Sequence, residues 1–227
     1  FTFLRYDASG KLDSTFGYGA VFVRWDRVNN NEGAIDVLPQ SDGEILVISS
    51  SDKNFLLNRF LEDGSRDLGF GESGAVVTDF DNQVDIPSDG LLLSDGKILV
   101  AGTTGTGSEA DFAIAQYLSD GTPDTSFGLG DGKVTTDFFG GMDVAKSLAI
   151  QPDGSILVAG WSYSDSDIRY GDKNFALARY TPEGRLDTSF GGWDGVVTTN
   201  FYDGDDAGHL VDVQLDGKIV VAGFSHT

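Results

Sequence analysis

Four sequence markers recur in one fixed order four times along the chain, and a repeat of this kind constrains the fold more than any other feature. The string FTFLRY at 1–6 returns as FLLNRF at 55–60, FAIAQY at 112–117 and FALARY at 175–180. A Phe-Gly pair returns as Phe16-Gly17, Phe70-Gly71, Phe127-Gly128 and Phe190-Gly191. An Asp-Gly pair returns as Asp42-Gly43, Asp95-Gly96, Asp153-Gly154 and Asp216-Gly217. The fourth marker is the run GAVFVRW, GAVVTDF, GKVTTDF or GVVTTNF. Successive copies open 54, 57 and 63 residues apart, which gives a single domain of repeats 1–54, 55–111, 112–174 and 175–227.

Each copy reads as four short strands. In the third, AKSLAIQ (145–151) and SILVAGW (155–161) flank Pro152-Asp153-Gly154, NFALARY (174–180) follows, and GVVTTNF (195–201) completes the unit. Asp-Gly between apolar runs predicts a tight hairpin of type I′. In SILVAG, Ile156 and Val158 point one way and Leu157 and Ala159 the other, so both faces are apolar and both must be covered. A two-sheet sandwich would leave each strand one wet face, which the second and third strands lack. The predicted fold is therefore all-β, a β-propeller of four four-stranded antiparallel blades. In the second copy Ile86-Pro87-Ser88 and Gly90 predict a short or bulged first strand.

The chain starts on a third strand and ends after a second strand, KIVVAGF (218–224). Pairing of residues 1–25 with 207–224 would close the ring and remove the open edges. Closing a loop of roughly 200 residues costs about 5 kcal/mol of chain entropy, which a few ladder hydrogen bonds and burial of Phe1, Phe3 and Val21 can offset. The same ends also allow two chains to pair as eight blades, or a slice of a longer array. The opening Phe1, in place of Met, reads as processing or excision from a longer polypeptide.

Composition narrows the function. With 15 basic and 36 acidic residues the net charge is −21, which disfavours binding to nucleic acid or an anionic membrane. Asp supplies 30 of the acids, beside 31 Gly and 5 Pro, a bias suited to turns and strands rather than helices. The absence of cysteine excludes disulfides, zinc-thiolate sites and a thiol nucleophile. No run approaches the 18 apolar residues of a membrane helix, so membrane insertion is not expected.

The units F-A-L-A-R-Y-x-x-x-G-x-L-D-x-S-F-G, G-x-V-x-T-x-F and Q-x-D-G-K-I-x-V-A-G resemble the delta-sixty repeat, a bacterial β-propeller repeat of uncharacterised function. The resemblance covers essentially the whole chain and is closest in the third and fourth copies. It implies a secreted or surface-exposed bacterial protein, often one module of a long polypeptide, and no enzymatic reaction.

Candidate site residues fall into three groups. The aspartates before each Phe-Gly, Asp13, Asp67, Asp124 and Asp187, read as turn-locking carboxylates, because a residue needed once per blade is structural. Metal candidates are the acidic loops, with Asp165, Asp167 and Asp172 in one and Asp203, Asp205 and Asp206 in the other; alternate aspartates supply the oxygens calcium wants, although neither loop keeps a full twelve-residue calcium spacing. Aromatics off the repeat pattern, Trp161, Tyr163, Tyr170, Trp193 and Tyr202, are the ligand-binding candidates, since such rings anchor sugars or proteins. His209 could face the axial channel, but a lone histidine does not make a catalytic constellation.

The sequence thus points to a non-catalytic scaffold or binding module that meets protein or glycan outside the cell. It requires no cofactor, and calcium is the one ion the loops could take. Two alternatives stand beside it: a structural subunit that self-associates through its end strands into a larger ring or filament, and, more weakly, a propeller hydrolase or lyase.

Overall fold

The computed structural model describes residues 1–23, 33–163, 172–201 and 204–226, and its regular structure is strand apart from two short 3-10 turns. The chain opens with a two-stranded pair, β1 (Thr2–Phe3) and β2 (Val21–Phe22). A first four-stranded antiparallel sheet follows, with β3 (Ala34–Pro39), β4 (Ile45–Ser51), β5 (Asn54–Phe60) and β6 (Ala75–Thr78) in chain order. The second is β7 (Asp85–Leu92), β8 (Ile98–Thr104), β9 (Asp111–Tyr117) and β10 (Lys133–Thr136), and the third is β11 (Asp143–Ile150), β12 (Ile156–Tyr163), β13 (Lys173–Tyr180) and β14 (Val196–Thr199). A second pair, β15 (Asp206–Val213) and β16 (Ile219–Ser225), ends the chain.

The first strands β3, β7, β11 and β15 adjoin one another in series, so the sheets are arrayed about a common hub. Between sheets lie the apolar layers that the two-faced strands demand. Leu99, Ala101 and Phe112 of the second sheet meet Ile156, Val158 and Ala178 of the third, while Ile98, Val100 and Ala113 meet Ile48, Phe55 and Leu57 of the first. All seven residues of β8 are buried, which a sandwich strand with one wet face could not show.

One local expectation is corrected and a second is met. At the Asp-Gly hairpins only the glycine takes positive φ (Gly43, Gly96, Gly154 and Gly217), so the turn is not type I′. In the second sheet Gly96 N–H donates to Leu93 O at 2.9 Å and Leu93 N–H to Lys97 O at 2.8 Å, a type I turn followed by a left-handed glycine, with Asp95 Oδ1 accepting the Lys97 amide at 3.2 Å. The first strand of the second copy is bulged, as expected, and is not shortened. β7 keeps eight residues, and its bulge at Pro87/Asp89 has counterparts at Ala34/Asp36, Ala145/Ser147 and Gly208/Leu210.

Successive sheets are also buttoned together by their turns. Gly17 N–H donates to Asp63 O at 2.8 Å, Gly71 N–H to Asp120 O at 2.9 Å and Gly128 N–H to Glu183 O at 2.8 Å. The expected pairing of residues 1–25 with 207–224 is absent from the ladders among the described residues: the two end pairs stand as separate sheets. The edge of β16 is therefore open, and Val220 is exposed where its counterparts Leu157 and Leu99 are fully buried.

Candidate functional site

The aspartates before Phe-Gly hold turns. Asp13 Oδ1 accepts the Thr15 amide and hydroxyl, Asp124 those of Ser126 and Asp187 those of Ser189, at 2.6–3.0 Å, while Asp67 Oδ1 accepts the Gly69 amide at 2.9 Å. The other oxygen faces a cation: Arg5 for Asp13, Arg59 for Asp67 and Arg179 for Asp187. Each guanidinium also lies over the following phenylalanine ring, Phe16, Phe70 or Phe190, at 4.5–4.6 Å. In the second sheet Gln116 stands in the arginine's place, and Lys97 Nζ reaches Asp124 Oδ2 instead, at 2.8 Å.

A second recurrent carboxylate, of which the sequence reading singled out only Asp206, sits at the start of three first strands, β7, β11 and β15. Asp85, Asp143 and Asp206 are fully buried, and their Oδ2 atoms accept the amides of Phe80, Phe138 and Phe201 at 2.8, 2.6 and 2.7 Å. This bond ties the end of each sheet's outer strand to the innermost strand of the next.

What surrounds this aspartate differs from seam to seam. At the first seam its neighbours are Asn54 and Asp79. Thr104 Oγ1 donates to Asp85 Oδ1 at 2.6 Å, and Lys133 Nζ donates to Asp79 O at 2.9 Å. At the third seam the matching positions are Asn174 and Asn200, and Lys173 pairs with the adjacent Asp205 at 3.4 Å. At the second seam all three positions are acidic. One carboxylate oxygen from each of Asp111, Asp137 and Asp143 lies within 4.8 Å of the other two.

Burial first, then the Asp111 and Asp137 charges, push the Asp143 carboxyl up to about 7, against the opposing pull of the nearby Ser162 hydroxyl and the Phe138 amide. Burial, then Asp137 and Glu109, push Asp111 up to about 6. Asp143 is buried, Asp111 half-buried and Asp137 exposed, so the group opens to solvent on one side.

The sequence-derived candidates are dispersed. Trp161 and Tyr163 pack edge to face with ring centroids 5.7 Å apart, and Lys173 Nζ lies 5.1 Å from the Trp161 centroid. Trp193 lies at the opposite end of the third sheet, between β13 and β14, with φ of 89° and 84% exposure. Tyr170, Tyr202, Asp165, Asp167 and Asp203 lie outside the described residues. Asp172 is half-buried just before β13; Asp205 pairs with Lys173, and Asp206 caps Phe201. His209 is exposed on β15, 5.4 Å from the Phe224 ring.

Three stretches of the chain, residues 40–70, 93–127 and 151–190, match a family model described as a domain of unknown function (DUF5122) beta-propeller. The chain is similar to a β-propeller family. Each matched stretch covers the same part of a four-stranded sheet, from the hairpin after the first strand to the phenylalanine of the Phe-Gly turn. None of the curated proteins matches the chain.

Proposed function

We propose that this chain is a non-catalytic β-propeller module of the delta-sixty type, serving as a scaffold or binding module of a secreted or cell-surface bacterial protein and contacting protein or glycan. The observation that carries this reading is Trp193. It is off the repeat pattern, holds a large apolar ring 84% in water, and does so from a left-handed backbone that bulky residues avoid. The recurrent polar residues, by contrast, are spent on turns and seams inside the module. An exposed tryptophan fits the role of anchor in a contact with a sugar ring or a protein surface. A glycan array and a panel of purified surface proteins, probed with the wild-type chain and Trp193→Ala, test this. The substitution should weaken a detected interaction at least tenfold at an unchanged melting temperature. Equal binding by the variant, or no binding by either chain, would overturn the reading.

The second reading concerns the ends. β15 and β16 are a first and second strand, and β1 and β2 a third and fourth. Added together they make one further blade. By the register of the third sheet, where Ala159 pairs with Leu177 and Gly160 with Ala176, Ala222 would pair with Phe3 and Gly223 with Thr2. The turn contact seen at three seams would then recur as Gly191 N–H to Ser9 O. Within one chain this closes a four-bladed ring; between chains it builds a larger ring or filament, the structural-subunit alternative. Size-exclusion chromatography with light scattering separates them, a monomer sinking assembly and a dimer or polymer sinking simple closure.

A further inference from the structure

We propose that Asp111, Asp137 and Asp143 form a binding site for a hard divalent cation, calcium by the donor set, at the seam between the second and third four-stranded sheets. The geometry is that of a ligand set. Two oxygens about 2.4 Å from a common calcium ion can be no more than about 4.8 Å apart, and one oxygen from each of these three carboxylates meets that limit with the others. Magnesium, which demands a strict octahedron, keeps most of its waters and is held through one or two carboxylates, suits a three-carboxylate set less well.

Proximity of acids alone would not carry a site; the buried member does. Asp143 is 0% exposed and its Oδ1 accepts no hydrogen bond. At the first seam the matching atom, Asp85 Oδ1, is satisfied by Thr104. At the second seam Ser162 holds the register position of Thr104, opposite Asp143, but its single hydroxyl proton lies between Tyr163 O at 3.2 Å and Phe138 O at 3.4 Å, and the hydroxyl stands near Asp143 without closing a hydrogen bond to Oδ1. A buried carboxylate oxygen with no donor is costly unless a cation faces it.

Charge balance points the same way. At the first seam Lys133 comes from the outer strand of the next sheet, where it pairs with Ala115, and its ammonium donates to the Asp79 backbone carbonyl, close enough for its charge to favour the ionised Asp85. The matching residue at the second seam is Val196, which pairs with Ala178. Three carboxylates therefore converge where the lysine has been replaced by an apolar side chain, and no ion pair reaches them among the described residues. The exposed Asp137 leaves a path for the ion, and water or carbonyl oxygens can complete the six to eight donors calcium takes.

The test uses the full chain stripped with chelator and titrated with calcium chloride, with magnesium chloride as the second arm. Isothermal titration should show saturable calcium binding, and at ten times the dissociation constant the melting temperature should rise by roughly 3–5 °C. Asp111→Asn and Asp137→Asn install the residues that the third seam already carries, so both variants should fold and both should abolish the calcium-dependent shift. Val196→Lys, which restores the first seam's amine, should abolish it too. Absence of calcium binding to the wild-type chain, or a shift that survives all three substitutions because the acidic loops hold the ion instead, would overturn the proposal. The result is independent of whether Trp193 binds a partner.

Discussion

Tyr180 donates its hydroxyl to Thr136 Oγ1 at 2.8 Å, across the seam between the second and third sheets. Tyr117 and Thr78 make the same contact at 2.6 Å one seam earlier. Where the N-terminal pair meets the first sheet, both members are apolar: Phe60 takes the tyrosine's place, Val23 the threonine's, and the two share one buried cluster. The pairing is thus a matched lock between the third strand of one sheet and the outer strand of the sheet before it.

The fourth such pair would be Tyr6 with Thr199, and it keeps the polar form. Tyr6 is 57% exposed, whereas Tyr117 and Tyr180 are buried. If the end strands complete a blade, Tyr6 enters the seam and bonds Thr199. Tyr180→Phe should cost about 1–2 kcal/mol by leaving the Thr136 hydroxyl buried without a partner. Tyr6→Phe should cost about as much in a closed ring and nearly nothing in an open one. Urea denaturation of both variants, at a concentration where light scattering reports a monomer, reads the difference.

Most of the fold was legible because a repeat places the same physical demand on every copy. Runs such as SILVAG declare two covered faces, and the Asp-Gly pairs mark the hairpins. Turn type was misjudged because Asp95 serves with its side chain, accepting the Lys97 amide at 3.2 Å, rather than with a left-handed backbone. The three-carboxylate cluster was missed for a different reason. Its members come from two sheets and from positions 111, 137 and 143, so no local spacing betrays them. Aligning the copies would have exposed it: the columns Asn54/Asp111/Asn174 and Asp79/Asp137/Asn200 turn fully acidic in one copy alone.

A second signature of the seams lies in their turn glycines. A Cβ on Gly184, whose φ is +78°, would stand 2.6 Å from Phe127 Cε2, and one on Gly121 would stand 2.8 Å from Phe70 Cε2. Gly184→Ala therefore combines left-handed strain with overpacking and should cost about 2–4 kcal/mol. Gly10 has the same positive φ, yet nothing lies within 4 Å of its Cβ position. Its counterpart phenylalanine, at the seam between the third sheet and the terminal strands, is Phe190, only half-buried, while Phe16, Phe70 and Phe127 are fully buried. Gly10→Ala should cost only the strain, about 1–2 kcal/mol, if the ends stay apart. A loss as large as that of Gly184→Ala, measured by chemical denaturation, would report a closed seam.

The seam between first strands should make stability depend on pH. Asp89 Oδ2 accepts the Leu148 amide at 2.8 Å, bridging β7 to β11. Burial pushes its carboxyl above the ordinary 3.8, outweighing the Leu148, Ser147 and Gly90 hydrogen bonds, and the Asp36 charge adds to the rise. A carboxyl raised in the folded state contributes its stability in full below its unfolded value and loses it as pH climbs through the folded one. The turn aspartates have the opposite sign. The Ser189 hydroxyl and amide hold Asp187 below 3.8, and the Ser155 amide and hydroxyl do the same for Asp153, so their contributions vanish as pH falls through the folded values. Asp89→Asn keeps the acceptor for Leu148 and removes the titration. The variant should be more stable than wild type at pH 7, and the gap should close as pH falls toward 3.8. Thermal melts of both chains across that range check the sign; a gap that stayed constant with pH would show that Asp89 does not titrate in the seam.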